Sequence, residues 1–191
     1  MILGGLGLLS GQLAAQDAPY LRKGNIEGNV FVGASHGLDS WRWSAGGNVA
    51  MAVTRNWMPY AEYSYFPGIG RKDAGGTHFS LPASDVHAGV HYRIPFGQKA
   101  FVPYLVAGAG VIHWSATTYQ VTIPVPGQQP ILHLNPVSSR SDFAVNFGAG
   151  IRYYVFGESS GFRTEIKMYK PTGSFTDPFI KASVGFFYQF K

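Results

Sequence analysis

The chain has 191 residues, no cysteine, 13% charged and 15% aromatic residues, and a mean hydropathy of +0.01. That length holds one domain and a leader; the lack of cysteine excludes a disulfide framework and a thiolate metal site, and the hydropathy is too low for helical membrane spans. The net charge of +5 is spread over dispersed Lys and Arg rather than a basic run, which argues against nucleic acid as a partner.

Residues 1–15 read as a secretory leader, with an apolar stretch from Ile2 to Leu9 followed by small residues through Ala14 and Ala15. The stretch is too short to span a bilayer, and the basic segment that should precede it is missing, which points to a truncated leader. Cleavage after Ala15 would begin the mature chain near Gln16, leaving residues 16–24 as a linker and residues 25–191 as the folded unit. No later segment offers the roughly 18 apolar residues of a membrane helix, so residence in a membrane would require a barrel.

From Gly24 onward the dominant pattern is period-two alternation interrupted by turn residues. Eight strands are predicted, over residues 25–36, 40–53, 57–66, 82–94, 100–115, 141–156, 161–171 and 178–190. In the fourth, Ser84, Val86, Ala88, Val90, Tyr92, Ile94 and Phe96 share one face, opposite Asp85, His87, Gly89, His91 and Arg93. The sixth sets Phe143, Val145, Phe147, Ile151, Tyr153 and Val155 against Asp142, Asn146, Gly148, Gly150 and Arg152. In the seventh, Phe162, Thr164, Ile166 and Met168 oppose Arg163, Glu165, Lys167 and Tyr169, and the eighth opposes its apolar face with Lys181, Ser183, Gly185 and Gln189.

Alternation alone does not orient these faces. A soluble barrel would turn its apolar face inward and need a densely charged exterior, whereas charges here are sparse. The apolar faces also carry aromatics near their ends, among them Trp41, Trp43, Trp57, Tyr92, Tyr153, Tyr188 and Phe190, as interfacial girdles of a membrane barrel would. The fold expected is therefore an all-β, eight-stranded antiparallel up-and-down transmembrane barrel. Its short turns fall at 54–56, 95–99 and 157–160, and its long connections at 67–81 and 116–140. The latter, with four prolines between Ile123 and Val137, is expected to lie outside the cell as an extended excursion without continuous pairing.

Three stretches resemble the small outer-membrane barrel domains typified by OmpA and OmpX: PYLVAGAGV at 103–111, FGAGIRYYV at 147–155 and VGFFYQF at 184–190. The resemblance covers residues 25–191 and implies a bacterial outer-membrane location, contact with outer-membrane lipid and lipopolysaccharide, and insertion by the barrel assembly machinery. Gly185, Tyr188 and Phe190 match that machinery's C-terminal signal, from which the chain departs by ending on Lys191. The family spans adhesins, structural barrels, weak pores and enzymes, so fold does not decide function.

Catalytic patterns are weak. Gly33 to Gly37 fits G-x-S-x-G but leads into another strand rather than a helix, and the leader glycines Gly5, Gly7 and Gly11 lack a following acidic ribose ligand. His87 and His91 share a face but stand about 13 Å apart, too far to chelate one metal. His113-Trp114-Ser115 is similar to the H-x-S motif of PagL-type lipid A deacylases, yet Ala116 replaces the family's Asn, and Gly127 and Gln128 stand where its orienting Glu is expected. No cofactor or metal is therefore expected. Instead the polar faces send Glu27, Arg42, Glu62, Asp85, Arg93, Asp142, Arg152, Arg163, Glu165, Lys167 and Lys181 inward, a mixture of signs that favours an ion-pair plug. The role expected is structural, or binding through extracellular loops; the alternatives are a lipid A 3-O-deacylase-like hydrolase and a narrow, low-conductance pore.

Overall fold

The computed structural model describes residues 21–37, 40–72, 77–95, 100–123, 131–173 and 177–190. The predicted leader, most of the linker, Phe96 and the proline-rich segment 124–130 lie outside the described residues. The strands in chain order are β1 (Ile26–Gly37), β2 (Ser40–Met51), β3 (Trp57–Lys72), β4 (His78–Arg93), β5 (Phe101–Trp114), β6 (Thr117–Ile123), β7 (Ile131–Val137), β8 (Arg140–Phe156), β9 (Ser160–Pro171) and β10 (Phe179–Phe190). Eight of them close into a barrel in the order β1-β10-β9-β8-β5-β4-β3-β2, while β6 and β7 form a separate two-stranded hairpin.

Every barrel neighbour is antiparallel, and β10 closes on β1 from Ile26 opposite Phe190 to His36 opposite Ile180. Closure leaves the barrel no free edge, so each strand can satisfy its backbone on both sides within hydrocarbon. The period-two alternation becomes an outer wall of exposed apolar residues, including Val30, Val32, Val86, Leu105 and Ile166, around a polar interior. Trp57, Tyr92, Phe101, Tyr153, Phe162, Tyr188 and Phe190 ring the end that carries Ile26 and Phe190, and Trp41, Trp43 and Tyr65 stand toward the opposite, hairpin-bearing end. These are the two girdles expected at membrane interfaces.

Two connections differ from expectation. Strands β3 and β4 run to Lys72 and from His78, so residues 67–72 and 78–81 are paired strand rather than loop. The register shifts between Phe66 and Ile69, at Pro67-Gly68, where a bulge interrupts the alternation and hides the strand's continuation from a period-two reading. Phe66, Ile69 and Arg71 are all buried, because the bulge switches which parity points inward. In the second connection, Thr117 to Ile123 pair continuously with Val137 to Ile131, which corrects the expectation of an unpaired excursion. The prolines at 124, 126 and 130 lie between these strands, and only Pro136 falls within a paired segment.

Inward glycines make room for large inward side chains. A Cβ on Gly150 would stand 2.3 Å from the Tyr104 hydroxyl, and one on Gly46 would stand 2.6 Å from the Phe31 ring. A lumen of eight strands has little spare volume, so each large ring needs a neighbouring gap. Gly150→Val should therefore destabilise the barrel by about 1–3 kcal/mol through overpacking. Urea titration in micelles followed by tryptophan fluorescence would measure it; an unchanged midpoint would contradict this account of the glycine.

Candidate functional site

The lumen carries the unusual chemistry. Glu62, on β3, is 2% exposed and accepts hydrogen bonds from Lys181 Nζ at 2.6 Å and from Lys167 Nζ at 2.7 Å. Asn48 Nδ2, Ser64 Oγ and Tyr169 Oη donate to the same carboxylate at 3.2, 3.3 and 3.4 Å. One side chain from β3 thus ties that strand to β2, β9 and β10 across the barrel.

The network continues toward the end bearing the chain termini. Lys167 Nζ lies 3.0 Å from Glu165, which accepts the Tyr104 hydroxyl at 2.8 Å. Arg163 stands between Glu62 and Glu27, at 3.8 and 3.7 Å, and donates to Asn48 Oδ1 at 3.1 Å. Arg152 Nε and Nη2 donate to Glu27 at 3.1 and 3.2 Å, Gln189 donates to Glu27 at 3.3 Å, and the Arg152 guanidinium lies 4.2 Å over the Tyr104 ring. In this stretch Glu27, Glu62, Asp85 and Glu165 share the interior with Arg152, Arg163, Lys167 and Lys181, and Arg93 is buried there as a fifth cation. Such near-balance is what makes burial of so many charges tolerable.

Apolar side chains flank this polar centre. Phe66, Ile69, Leu81, Ala83, Ile112, Trp114, Ala144, Tyr169 and Phe179 form a buried cluster toward the hairpin end. At the opposite end Leu21 packs with Val102, Tyr154 and Phe187. Polar residues dominate the inward parity and hide these rings in the sequence; the signal available is that parity itself, which Phe66, Trp114, Phe179 and Phe187 share.

Of the inward charges expected from the sequence, Glu27, Glu62, Arg152, Arg163, Glu165, Lys167 and Lys181 are brought together, and Asp85 contacts His87 on its own strand. Arg42 is not among them: it shares the inward parity but stands exposed near the end of β2, where the barrel opens. Arg93 is buried without an ion pair in this network and instead donates to the Thr54 carbonyl at 2.9 Å, holding the β2–β3 turn. Asp142 lies apart toward the hairpin end, accepting Trp114 Nε1 and Arg140 Nη2 at 2.9 Å each. Gly185 faces inward opposite Phe31, while Tyr188 and Phe190 face out with ring centroids 4.9 Å apart.

The histidines are held in separate environments. His113 is exposed on the outer wall and its Nδ1 lies 3.0 Å from Ser141 Oγ rather than from Ser115, whose backbone nitrogen donates to the Pro82 carbonyl. His87 Nε2 donates to the Ala144 carbonyl at 3.2 Å, and His91 Nδ1 accepts from Arg152 Nη2 at 2.8 Å while its ring stacks on Tyr60. Among the described residues no group of three or more His, Asp or Glu could hold a metal ion.

Glu62→Gln should leave Lys167 and Lys181 buried beside a neutral amide, and removing one member of a buried ion-pair group costs about 3–5 kcal/mol. Arg42→Gln should change stability by less than about 0.5 kcal/mol, as exposed substitutions do. Paired urea titrations would check both, and similar midpoints for the two variants would remove Glu62 from the centre of the network.

The comparisons with known proteins concern the whole barrel. The model of the outer membrane protein beta-barrel domain family matches residues 1–188. The N-terminal β-barrel domain of Pseudomonas aeruginosa OprF is similar at 15% identity and a TM-score of 0.53, over 88% of this chain and 98% of that one. Neisserial surface protein A is similar at 11% identity and a TM-score of 0.58, over 87% and 96% of the two chains. No curated protein sequence matches significantly. With a closed eight-stranded barrel, an apolar outer wall and a family match over almost its entire length, the chain belongs to the outer membrane protein β-barrel domain family and is a protein of the bacterial outer membrane.

Proposed function

We propose that this protein is a non-enzymatic outer-membrane barrel whose lumen is closed to solutes and whose hairpin end serves as a rigid platform for binding outside the cell. The observation that carries the reading is the Glu62 carboxylate gripped by Lys167 and Lys181 at 2.7 and 2.6 Å inside the lumen. An aqueous pore needs missing or small side chains along its axis, whereas this axis holds paired charges between two apolar clusters. The buried charges are also nearly balanced, five acids against six bases among the described residues, which would give an ion little selective field to follow.

The platform reading rests on the β6–β7 hairpin. Tyr119 stacks on Phe79 of β4 at 4.5 Å and 10°, and Val137 packs against the apolar cluster of the barrel. The hairpin is thereby fastened to the barrel, while Leu134 stays 54% exposed on it. The even strand number puts the start of β1 and the end of β10 at one mouth, which in this architecture is periplasmic and leaves the hairpin outside the cell. Insertion would use Gly185, Tyr188 and Phe190 as the signal for the assembly machinery, and the outer wall would be solvated by outer-membrane lipid and lipopolysaccharide.

The non-enzymatic reading is supported by the site geometry: His113 has a serine neighbour but, among the described residues, no carboxylate to orient it, and the nearby Asp142 is taken up by Trp114 and Arg140. Purified protein in planar bilayers should show no stable conductance, and His113→Ala or Ser115→Ala should leave lipid A acylation unchanged by mass spectrometry. Reproducible ion-selective steps would establish a pore, and loss of a 3-O-deacylated species would establish the hydrolase. For the topology, His133→Cys should react with an impermeant maleimide on intact cells and Glu158→Cys, in the β8–β9 turn, should not; the chain has no cysteine of its own to confuse the signal. Equal or reversed labelling would overturn the orientation.

A further inference from the structure

We infer that Arg71 is the centre of an oxyanion-binding site inside the hairpin end of the barrel, suited to a carboxylate or to a phosphate or sulfate ester on a soluble molecule. Arg71 follows the Pro67-Gly68 bulge, which turns its side chain inward, and it is 1% exposed. Its guanidinium carbon lies 4.5 Å from the centre of the Trp114 ring and 5.6 Å from that of Phe179. Two rings therefore fix the plane of the cation without neutralising it.

The hydrogen bonding of Arg71 is one-sided. Nη1 donates to the Gly70 carbonyl at 3.3 Å, whereas Nε and Nη2 have no hydrogen-bond partner. Those two nitrogens share the side of the guanidinium whose parallel N–H bonds match the two oxygens of a carboxylate, phosphate or sulfate. The contrast with other buried arginines is informative. Arg152 spends Nε and Nη2 on Glu27, and Arg163 lies within 3.8 Å of both Glu27 and Glu62. Arg93 also has bare nitrogens, but they are Nε and Nη1, which do not share that side.

The chain's own nearby carboxylate is already engaged. Asp142 accepts the Trp114 indole at 2.9 Å and both Arg140 Nε and Nη2, at 3.2 and 2.9 Å. Asp142 and Asp177 are the acids whose charges act on Arg71, and neither occupies its Nε and Nη2 edge. Asp177 is exposed and makes no hydrogen bond to Arg71. Because Arg71 faces the interior, the strand wall separates it from lipid headgroups, which favours a soluble ligand over a membrane one.

The test uses the full barrel refolded in a nonionic detergent, with inorganic phosphate and acetate as probes against chloride at equal ionic strength. The readout is the temperature at which the heat-modifiable gel band converts to its unfolded mobility. A ligand that binds only the folded barrel raises that temperature with its concentration. Wild type should show the rise with phosphate and acetate, and Arg71→Lys, which keeps the charge and loses the paired N–H edge, should need at least tenfold more anion for the same shift. Arg71→Met should abolish it, and Arg42→Gln should behave as wild type. General salting-out by phosphate would act equally on wild type and Arg71→Lys. Equal shifts in those two proteins, or no difference between phosphate, acetate and chloride in wild type, would overturn the site; should Arg71→Met fail to fold, the Arg71→Lys comparison decides alone.

Discussion

The structure turns on a single carboxylate shared between two ammonium groups. Glu62 holds Lys167 and Lys181 within 2.7 Å inside the barrel, and around it hangs a chain of partners that reaches Glu27 and Gln189 near the terminal mouth. An eight-stranded barrel encloses a space about as wide as the side chains that point into it, so these groups have nowhere to go except onto one another. Charges placed there must be matched nearly one for one, and the matching ties strands that are far apart in sequence: β3 to β9 and β10, and β1 to β8. Backbone ladders close the wall, and the carboxylates brace it across its diameter.

This arrangement inverts the usual division of labour in a folded domain. Apolar residues on the outer wall gain nothing from one another in lipid, because the surrounding chains are as apolar as they are; what they do is permit insertion. Specificity of strand order then falls to the backbone register and to the lumen. The inward glycines belong to the same logic, since the Tyr104 ring that donates to Glu165 and carries Arg152 on its face occupies the space that a side chain at Gly150 would need. A change at a glycine on β8 is therefore felt by a carboxylate on β9.

Much of this was legible in the sequence because a membrane barrel writes its two environments onto alternate residues. In β9, Arg163, Glu165, Lys167 and Tyr169 announce the inside, and Phe162, Thr164, Ile166 and Met168 the outside, with no structure needed. The alternation fails at two kinds of place. A bulge resets the parity, so Arg71, which falls in the connection expected at 67–81, is part of β3 and points inward. A strand end reaches past the enclosed space, so Arg42 keeps the inward parity but stands in the open. Partner choice was not legible either, because it depends on register: nothing local to Glu62 reveals that it meets Lys167 and Lys181 rather than Arg163 alone. The β6–β7 pairing was masked by its prolines, three of which fall between the strands instead of within them.

The two ends of the lumen are built differently, and the difference bears on how the hairpin is held. Toward the terminal mouth, the apolar cluster is small and one of its members, Leu21, precedes the first strand. Toward the hairpin end, rings fill the interior: Phe179 stacks flat on Tyr169 at 4.8 Å and 4°, Phe66 meets both edge-on, and Arg71 covers Trp114. Tyr169 links this cluster to the ionic centre, because its hydroxyl donates to Glu62 at 3.4 Å. Val137, at the foot of the hairpin, packs against the same cluster. A continuous set of contacts therefore runs from the carboxylate at the barrel's centre, through stacked rings, to the base of the β6–β7 hairpin. Fixing that base removes motion the hairpin would otherwise have to surrender on meeting a partner, and loss of such motion opposes binding. Under the function proposed above, a filled lumen would give up permeation and gain a stiff support for the hairpin.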